Sequence, residues 1–149
     1  MPSIAVEAFA GVSNVSIFAE LPIGSRVVDL GCGAGLDSLI AGRRIGPDGR
    51  VIGIDFSEAM LQRAHRALAE EGASNVQLCR GSGENLPIRT GAIDVAIVNG
   101  IFNLNPLRAG IFAELARVVR SGGSVYSAEL ILTGPLAAEV QASEENWFA

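Results

Sequence analysis

A mainly parallel, doubly wound α/β sheet is the fold class that this sequence predicts, on three observations. From Arg26 onward, strand-like apolar runs alternate with helix-like stretches, the order expected of a parallel sheet covered by its crossover helices. The run over residues 93–98 is apolar enough for a strand buried on both faces. And the first run, Arg26–Leu30, passes straight into the glycine-rich turn Gly31-Cys32-Gly33-Ala34-Gly35 and then a helix.

The elements read β-α-β-α-β-β-α-β. After the glycine turn a helix is expected from about Leu36 to Ile45, closed by the turn Gly46-Pro47-Asp48-Gly49. Residues 51–55 (VIGID) form the second strand. Ser57 is placed to cap the next helix, Glu58 suits the positive end of its dipole, and Leu61, Ala64 and Leu68 recur on one face. That helix ends near Gly72. Val76–Arg80 is a short third strand, and residues 93–98 make the fourth after the loop GSGENLP. Asn105-Pro106 reads as a cap followed by a first helical residue, with Ile111, Phe112, Leu115, Val118 and Val119 as the core-facing stripe of a helix ending at Ser121-Gly122-Gly123. A fifth strand is expected over roughly residues 124–132, and a further helical stretch begins the tail 135–149.

At 149 residues the chain fits one domain. Its formal net charge is −5 and it has no Lys/Arg cluster, so nucleic acid is not an expected partner. Cys32 and Cys79 have neither metal-ligand nor disulfide-framework spacing, which points to no metal and to a reducing, cytoplasmic home. No basic leader region precedes an apolar stretch, and no apolar run approaches the roughly 20 residues that span a bilayer, so no membrane is expected.

The chemistry concentrates on VVDLGCGAG. A Cβ at Gly31 or Gly33 would obstruct both the tight turn and the approach of a ligand to the backbone, and the helix that follows offers its N-terminal N–H groups. Strand-to-helix turns use glycine without any ligand as well, so the pattern alone is weak. Asp55, about twenty residues on, stands where a doubly wound fold places an acid for ribose hydroxyls, although an acid there also caps helices. A dinucleotide fingerprint would need glycine at position 36, which is Leu36, and Asp29 would repel a pyrophosphate while suiting a cationic amino acid end. His65, flanked by Arg63 and Arg66, reads as part of a solvated face, and Cys79 as a small buried hydrophobe.

On these motifs the sequence, over residues 26–132, resembles class I S-adenosylmethionine (SAM) dependent methyltransferases. VVDLGCGAG matches the family's first motif, which implies that Asp29, Gly31, Cys32, Gly33 and Gly35 border the methionine and ribose of the cofactor. VIGIDFSEAML matches the second, which implies Asp55 on the ribose hydroxyls and Phe56 against adenine. In the loop Gly81-Ser82-Gly83-Glu84-Asn85-Leu86-Pro87 the family carries an aspartate where this chain has Ser82, so a hydroxyl or backbone group would meet the adenine amine and affinity would drop. Ser82, Gly83 and Glu84 are the candidates there. Asn99, Gly100 and Ile101 would line the methyl-transfer pocket, with Asn99 nearest the methyl group, and no acid/base residue is assigned.

Within the family, NGIFNLNP followed by SAELILTGPLAAEV is similar to the arsenite methyltransferase branch and its methyltransferase type 11 relatives. Arsenite enzymes hold trivalent arsenic through several cysteine thiolates, which suit a soft metalloid; here Cys32 lies in the turn, Cys79 ends a strand, and no cysteine occurs near the last residues. The resemblance implies a Rossmann-like sheet in the order 3-2-1-4-5 that lacks the family's last two strands, hence a chain truncated at its C-terminus. Residues 1–25 would form an N-terminal lid and residues 26–149 the cofactor domain. The fifth strand would be an apolar edge through Val125, Ala128, Leu130 and Leu132, inviting a homodimer. The expected function is methyl transfer from SAM, with S-adenosylhomocysteine as product, to a small-molecule acceptor such as arsenite; the rival is a non-catalytic SAM-binding or dimerisation module.

Overall fold

The computed structural model describes residues 1–9, 11–103 and 105–130. Two short helices, α1 (Ser3–Glu7) and α2 (Val15–Phe18), precede the alternating part: β1 (Arg26–Leu30), α3 (Leu36–Ile45), β2 (Arg50–Asp55), α4 (Glu58–Glu71), β3 (Val76–Arg80), β4 (Ile93–Asn99), α5 (Arg108–Val118) and β5 (Val119–Ala128). The five strands form one sheet in the order β3-β2-β1-β4-β5, every neighbouring pair parallel. This is the expected 3-2-1-4-5 order.

Side-chain alternation along the central strands divides the core between the two faces of the sheet. Val27, Val51, Val95 and Ile97 pack with Leu39 and Ile45 of α3 and Ala67 of α4. Val28, Ile54, Ala96 and Val98 pack on the opposite face with Ile111, Leu115 and Val118 of α5. Because β1 and β4 are covered on both sides, their residues are almost uniformly buried, which explains the apolar runs in the sequence.

The hydroxyl of Ser57 accepts the Met60 N–H and caps α4 as expected, at 3.4 Å, and the helix ends at Gly72. The start of α5 differs from expectation. Asn105 is no cap: its side-chain oxygen accepts the Leu107 N–H at 2.7 Å in a local turn, its amide nitrogen donates to Glu84, and the helix opens only at Arg108. Phe112 belongs to no core stripe either; it is half exposed and stacks on Phe102, ring centroids 4.4 Å apart. The fifth strand begins five residues early, since Val119 already pairs with Ile93. Residues 120–123 then bulge past Asp94, whose carboxylate accepts Arg120 Nε at 2.6 Å, before Ser124 resumes pairing with Val95. Ser121-Gly122-Gly123 therefore makes a bulge inside a strand.

Among the described residues β5 has β4 as its one strand neighbour, and Val125 and Leu130 are exposed beside it. Leu132 and the tail expected to be helical lie outside the described residues. No described helix is long and apolar enough to cross a membrane.

Candidate functional site

Parallel strands deliver their C-terminal ends to one edge of the sheet, and at a point where the strand order reverses the adjoining loops separate to leave a crevice. Here that point lies between β1 and β4. β1 ends at Leu30, and the chain turns through Gly31, whose φ of +73° excludes an ordinary side chain. The N–H groups of Gly31 and Cys32 both donate to the Ile54 carbonyl, at 2.7 and 3.0 Å, pinning the turn to β2. A Cβ at Gly31 would lie 2.0 Å from Ile101 Cδ1, whereas at Gly33 it would meet nothing within 4 Å. The turn is thus roofed at its first glycine and open at its second.

Asp55, at the end of β2, is buried and braces the turn from the side: Oδ2 accepts the Gly33 N–H at 2.9 Å and Oδ1 the Ser57 N–H at 2.8 Å. A carboxylate has about four acceptor positions, so two are left for a ligand. Asp29, one residue before the end of β1, is 2 % exposed and accepts the Ser38 hydroxyl at 2.5 Å. Burial, followed by the charge of Asp37, raises its pKa from 3.8 to about 7; the Ser38 hydrogen bond opposes the rise and Asp55 adds to it. The Cys32 thiol is also pushed well above its ordinary range, by burial first and then by Asp29 and Asp55, so it is held as an inert thiol.

Two cavities meet on Gly31 and Ile101. One, of about 170 Å³, is bordered by Asp29, Cys32, Gly33, Asp37, Asn99 and Gly100, and by Ala5, Phe9 and Gly11 of the N-terminal segment. The other, of about 340 Å³, is bordered by Asp55, Phe56, Ser82, Gly83, Glu84 and Asn105. Every cofactor candidate read from the sequence lines one of them except Gly35. Gly35 caps α3 at φ +87°, and a Cβ there would press on the Ala64 Cβ at 3.1 Å, so it serves helix packing.

Asn99 closes the smaller cavity without pointing a free group into it. Its oxygen accepts the Val12 N–H at 2.8 Å, and its nitrogen donates to the Ser13 carbonyl at 2.6 Å and to Asp37 at 2.9 Å. Asp37 in turn accepts the Ser16 N–H and hydroxyl, and Arg44 donates to the carbonyls of Ser16, Ile17 and Ala19. The N-terminal segment is thereby tied across the end of β4. In the larger cavity, Ser82 and Asn105 both donate to the Glu84 carboxylate, and Phe56 presents a largely exposed ring. Asp37, Met60, Asn105 and Ile111 border the cavities without having been read from the sequence as site residues: Asn105 reads there as a helix cap, Ile111 as a core residue, and Asp37 as one more first-turn acid of a helix. His65 is exposed on α4, and Cys79 packs against the second core cluster.

Residues 23–148 match the family described as a methyltransferase domain. The chain is similar to the arsenite methyltransferase of Halobacterium salinarum, 35% identical over 136 residues, which is 91% of this chain and 35% of that protein. It is also similar to the demethylmenaquinone methyltransferase of Lactococcus lactis, 35% identical over 106 residues, 71% of this chain and 42% of that protein. Among solved structures, an arsenic (III) S-adenosylmethionine methyltransferase from Chlamydomonas reinhardtii superposes with a TM-score of 0.85 at 30% identity, over 95% of this chain and 50% of that one. The chain spans a third to a half of the length of these relatives. Matched over most of its own length, and with its sheet in the 3-2-1-4-5 order that the sequence resemblance implied, the chain belongs to the methyltransferase-domain family and carries the class I SAM-dependent methyltransferase fold.

Proposed function

We propose that this chain is the cofactor-binding part of a SAM-dependent methyltransferase acting on a small-molecule acceptor, with arsenite the first acceptor to test. The observation that carries this reading is the pair of cavities meeting on Gly31, one flanked by Asp29 and the other by Asp55. The residues fit the cofactor. Backbone is open at Gly33, Asp55 retains acceptor capacity for two hydroxyl donors, and a cationic amino acid end suits a cavity bordered by two acids. Phe56 offers an aromatic face to a base, and Ser82 with Glu84 offers oxygen acceptors to its amine.

When bound, SAM would supply a sulfonium methyl group, transferred in line to the acceptor's lone pair as the carbon–sulfur bond breaks and S-adenosylhomocysteine is left. The chain's own work is positioning and exclusion of water. Asp55 fixes the turn and orients a ribose; Asp29 gains charge as a cation docks beside it. Residues 1–25 act as a lid, with Asn99 and Asp37 as the anchors that hold it shut. The Asn99 amide is committed to that anchoring, and no side chain of the two cavities is assigned as a general base; a soft acceptor that carries its own lone pair would need none. Arsenite is favoured by the similarity to two proteins named for it, and Cys32, buried and held as a thiol, is not offered as one of its ligands.

Calorimetric titration with SAM and S-adenosylhomocysteine, alongside Asp55→Ala, tests the reading. Saturable binding that weakens at least about tenfold in the variant is expected, since hydrogen bonds to a charged acceptor are lost. Absence of binding by the folded wild type would sink the proposal, and binding without methyl transfer to arsenite or any other acceptor would leave a non-catalytic module.

A further inference from the structure

The loop after β4 is fastened to the end of β5 by an uncommon concentration of hydrogen bonds. The Gly100 N–H donates to the Ala128 carbonyl at 2.9 Å. Three successive amides then converge on one side chain: Ile101 and Phe102 donate to Glu129 Oε1 at 2.8 and 3.0 Å, and Asn103 donates to Oε2 at 3.4 Å. The Asn103 side-chain amide donates to the Leu130 carbonyl. Ile101, the first residue held, is the one whose side chain lies over Gly31 and borders both cavities. Three backbone N–H groups aimed at one acceptor form a concave nest that only an anion satisfies well, and here the anion comes from the chain itself.

We infer that Glu129 is a positioning residue for the cofactor site, acting through Ile101: its carboxylate fixes the 101–103 backbone so that the Ile101 side chain seats on Gly31 and forms the partition between the two cavities. This rests on the reading of those cavities as the SAM site. A cofactor that occupies both must pass over Gly31, so the height of that partition sets the fit of its middle stretch. Glu129 borders neither of these two cavities, and it stands remote in sequence from the glycine turn it serves. Phe102, held by the same oxygen, is buried and stacks on Phe112 of α5, so the latch also joins the loop to the core of the second face.

The test measures S-adenosylhomocysteine affinity by calorimetry, and amide hydrogen exchange, for wild type, Glu129→Ala, Glu129→Gln, Ile101→Ala and the Glu129→Ala/Ile101→Ala double variant. Glu129→Ala is expected to weaken binding at least about tenfold and to speed exchange at Ile101, Phe102 and Asn103 by a similar factor, with β1 amides unchanged as proof of folding. Glu129→Gln keeps one acceptor oxygen and should fall between. Because Glu129 works through Ile101, the two substitutions should be strongly non-additive, the double variant binding no worse than about threefold below Ile101→Ala. Full additivity, or unchanged affinity in Glu129→Ala with loosened 101–103 amides, overturns the inference and leaves the cofactor reading intact. Failure of the wild type to bind overturns both.

Discussion

Asp29→Asn should make the ligand-free protein more stable, and by an amount that depends on pH in a defined way. The wild-type carboxyl has its pKa raised from 3.8 to about 7 by burial and by Asp37. Between those values the folded protein holds a proton that the unfolded chain has lost. The stability associated with the protonated acid is therefore complete below about pH 4 and is lost as pH rises through 7. At about 1.4 kcal/mol per pH unit, the full cost of ionising the buried group approaches roughly 4 kcal/mol. Asparagine keeps the shape, can still accept the Ser38 hydroxyl, and does not titrate. The stability difference between variant and wild type should then grow by about 2 kcal/mol from pH 5 to 7 and level off near pH 8. Urea unfolding followed by far-UV circular dichroism at several pH values reads this directly, taking the difference so that other carboxylates cancel. A difference that stays flat from about pH 5 to 8 would refute the argument, since it would mean that Asp29 ionises in the folded protein without penalty. Binding should move the other way, the variant losing affinity for SAM while gaining stability.

Asn99→Ala should release the N-terminal segment without unfolding the sheet. Losing its bonds to Val12, Ser13 and Asp37 lowers the local opening free energy by roughly 2 kcal/mol, so exchange of the Val12 and Ser13 amides should accelerate about thirtyfold; unchanged exchange would show that Asp37 and Arg44, through their bonds to residues 16–19, hold the segment without Asn99. Arg117→Ala should change how Glu114 titrates. Its carboxyl is held at about 2 by the Arg117 guanidinium and then by the Leu86 N–H, so the stabilisation it gives is present above its ordinary 4.5 and lost as pH falls toward 2. In the variant a carboxyl resonance followed by NMR should titrate closer to 4.5, and an unmoved midpoint would mean that the Leu86 amide does most of the holding.

The sheet order and the glycine turn could be read from the sequence because both follow from local constraint. Buried parallel strands must be apolar throughout, as at β4, and only glycine adopts the backbone that Gly31 requires. Capping chemistry was readable at Ser57 and misleading at Asn105, where a side chain from a distant loop, Glu84, competes for the amide and a local turn takes the oxygen. Ser121-Gly122-Gly123 misled for a related reason: glycine serves helix ends and bulges alike, and the choice was made by Arg120 meeting Asp94 across the sheet. Gly35 had a binding reading in the motif and a packing role in three dimensions. Asp37, Asn99 and Glu129 act through partners far away in the chain, and periodicity carries no record of such pairings.

The parallel topology has a kinetic corollary. Asp29, Asp55, Asn99 and Glu129 sit at or just beyond the ends of β1, β2, β4 and β5, so none of their shared geometry exists until strands from across the chain have paired in register. Contacts of such long sequence separation make folding slow, and the expectation is that the crevice is completed only after the barrier has been crossed. A small molecule that fills it has nothing to grip in the transition state. Added during refolding, it should leave the folding rate unchanged and lengthen the lifetime of the native state instead, so its protective effect should appear in the unfolding limb of a chevron.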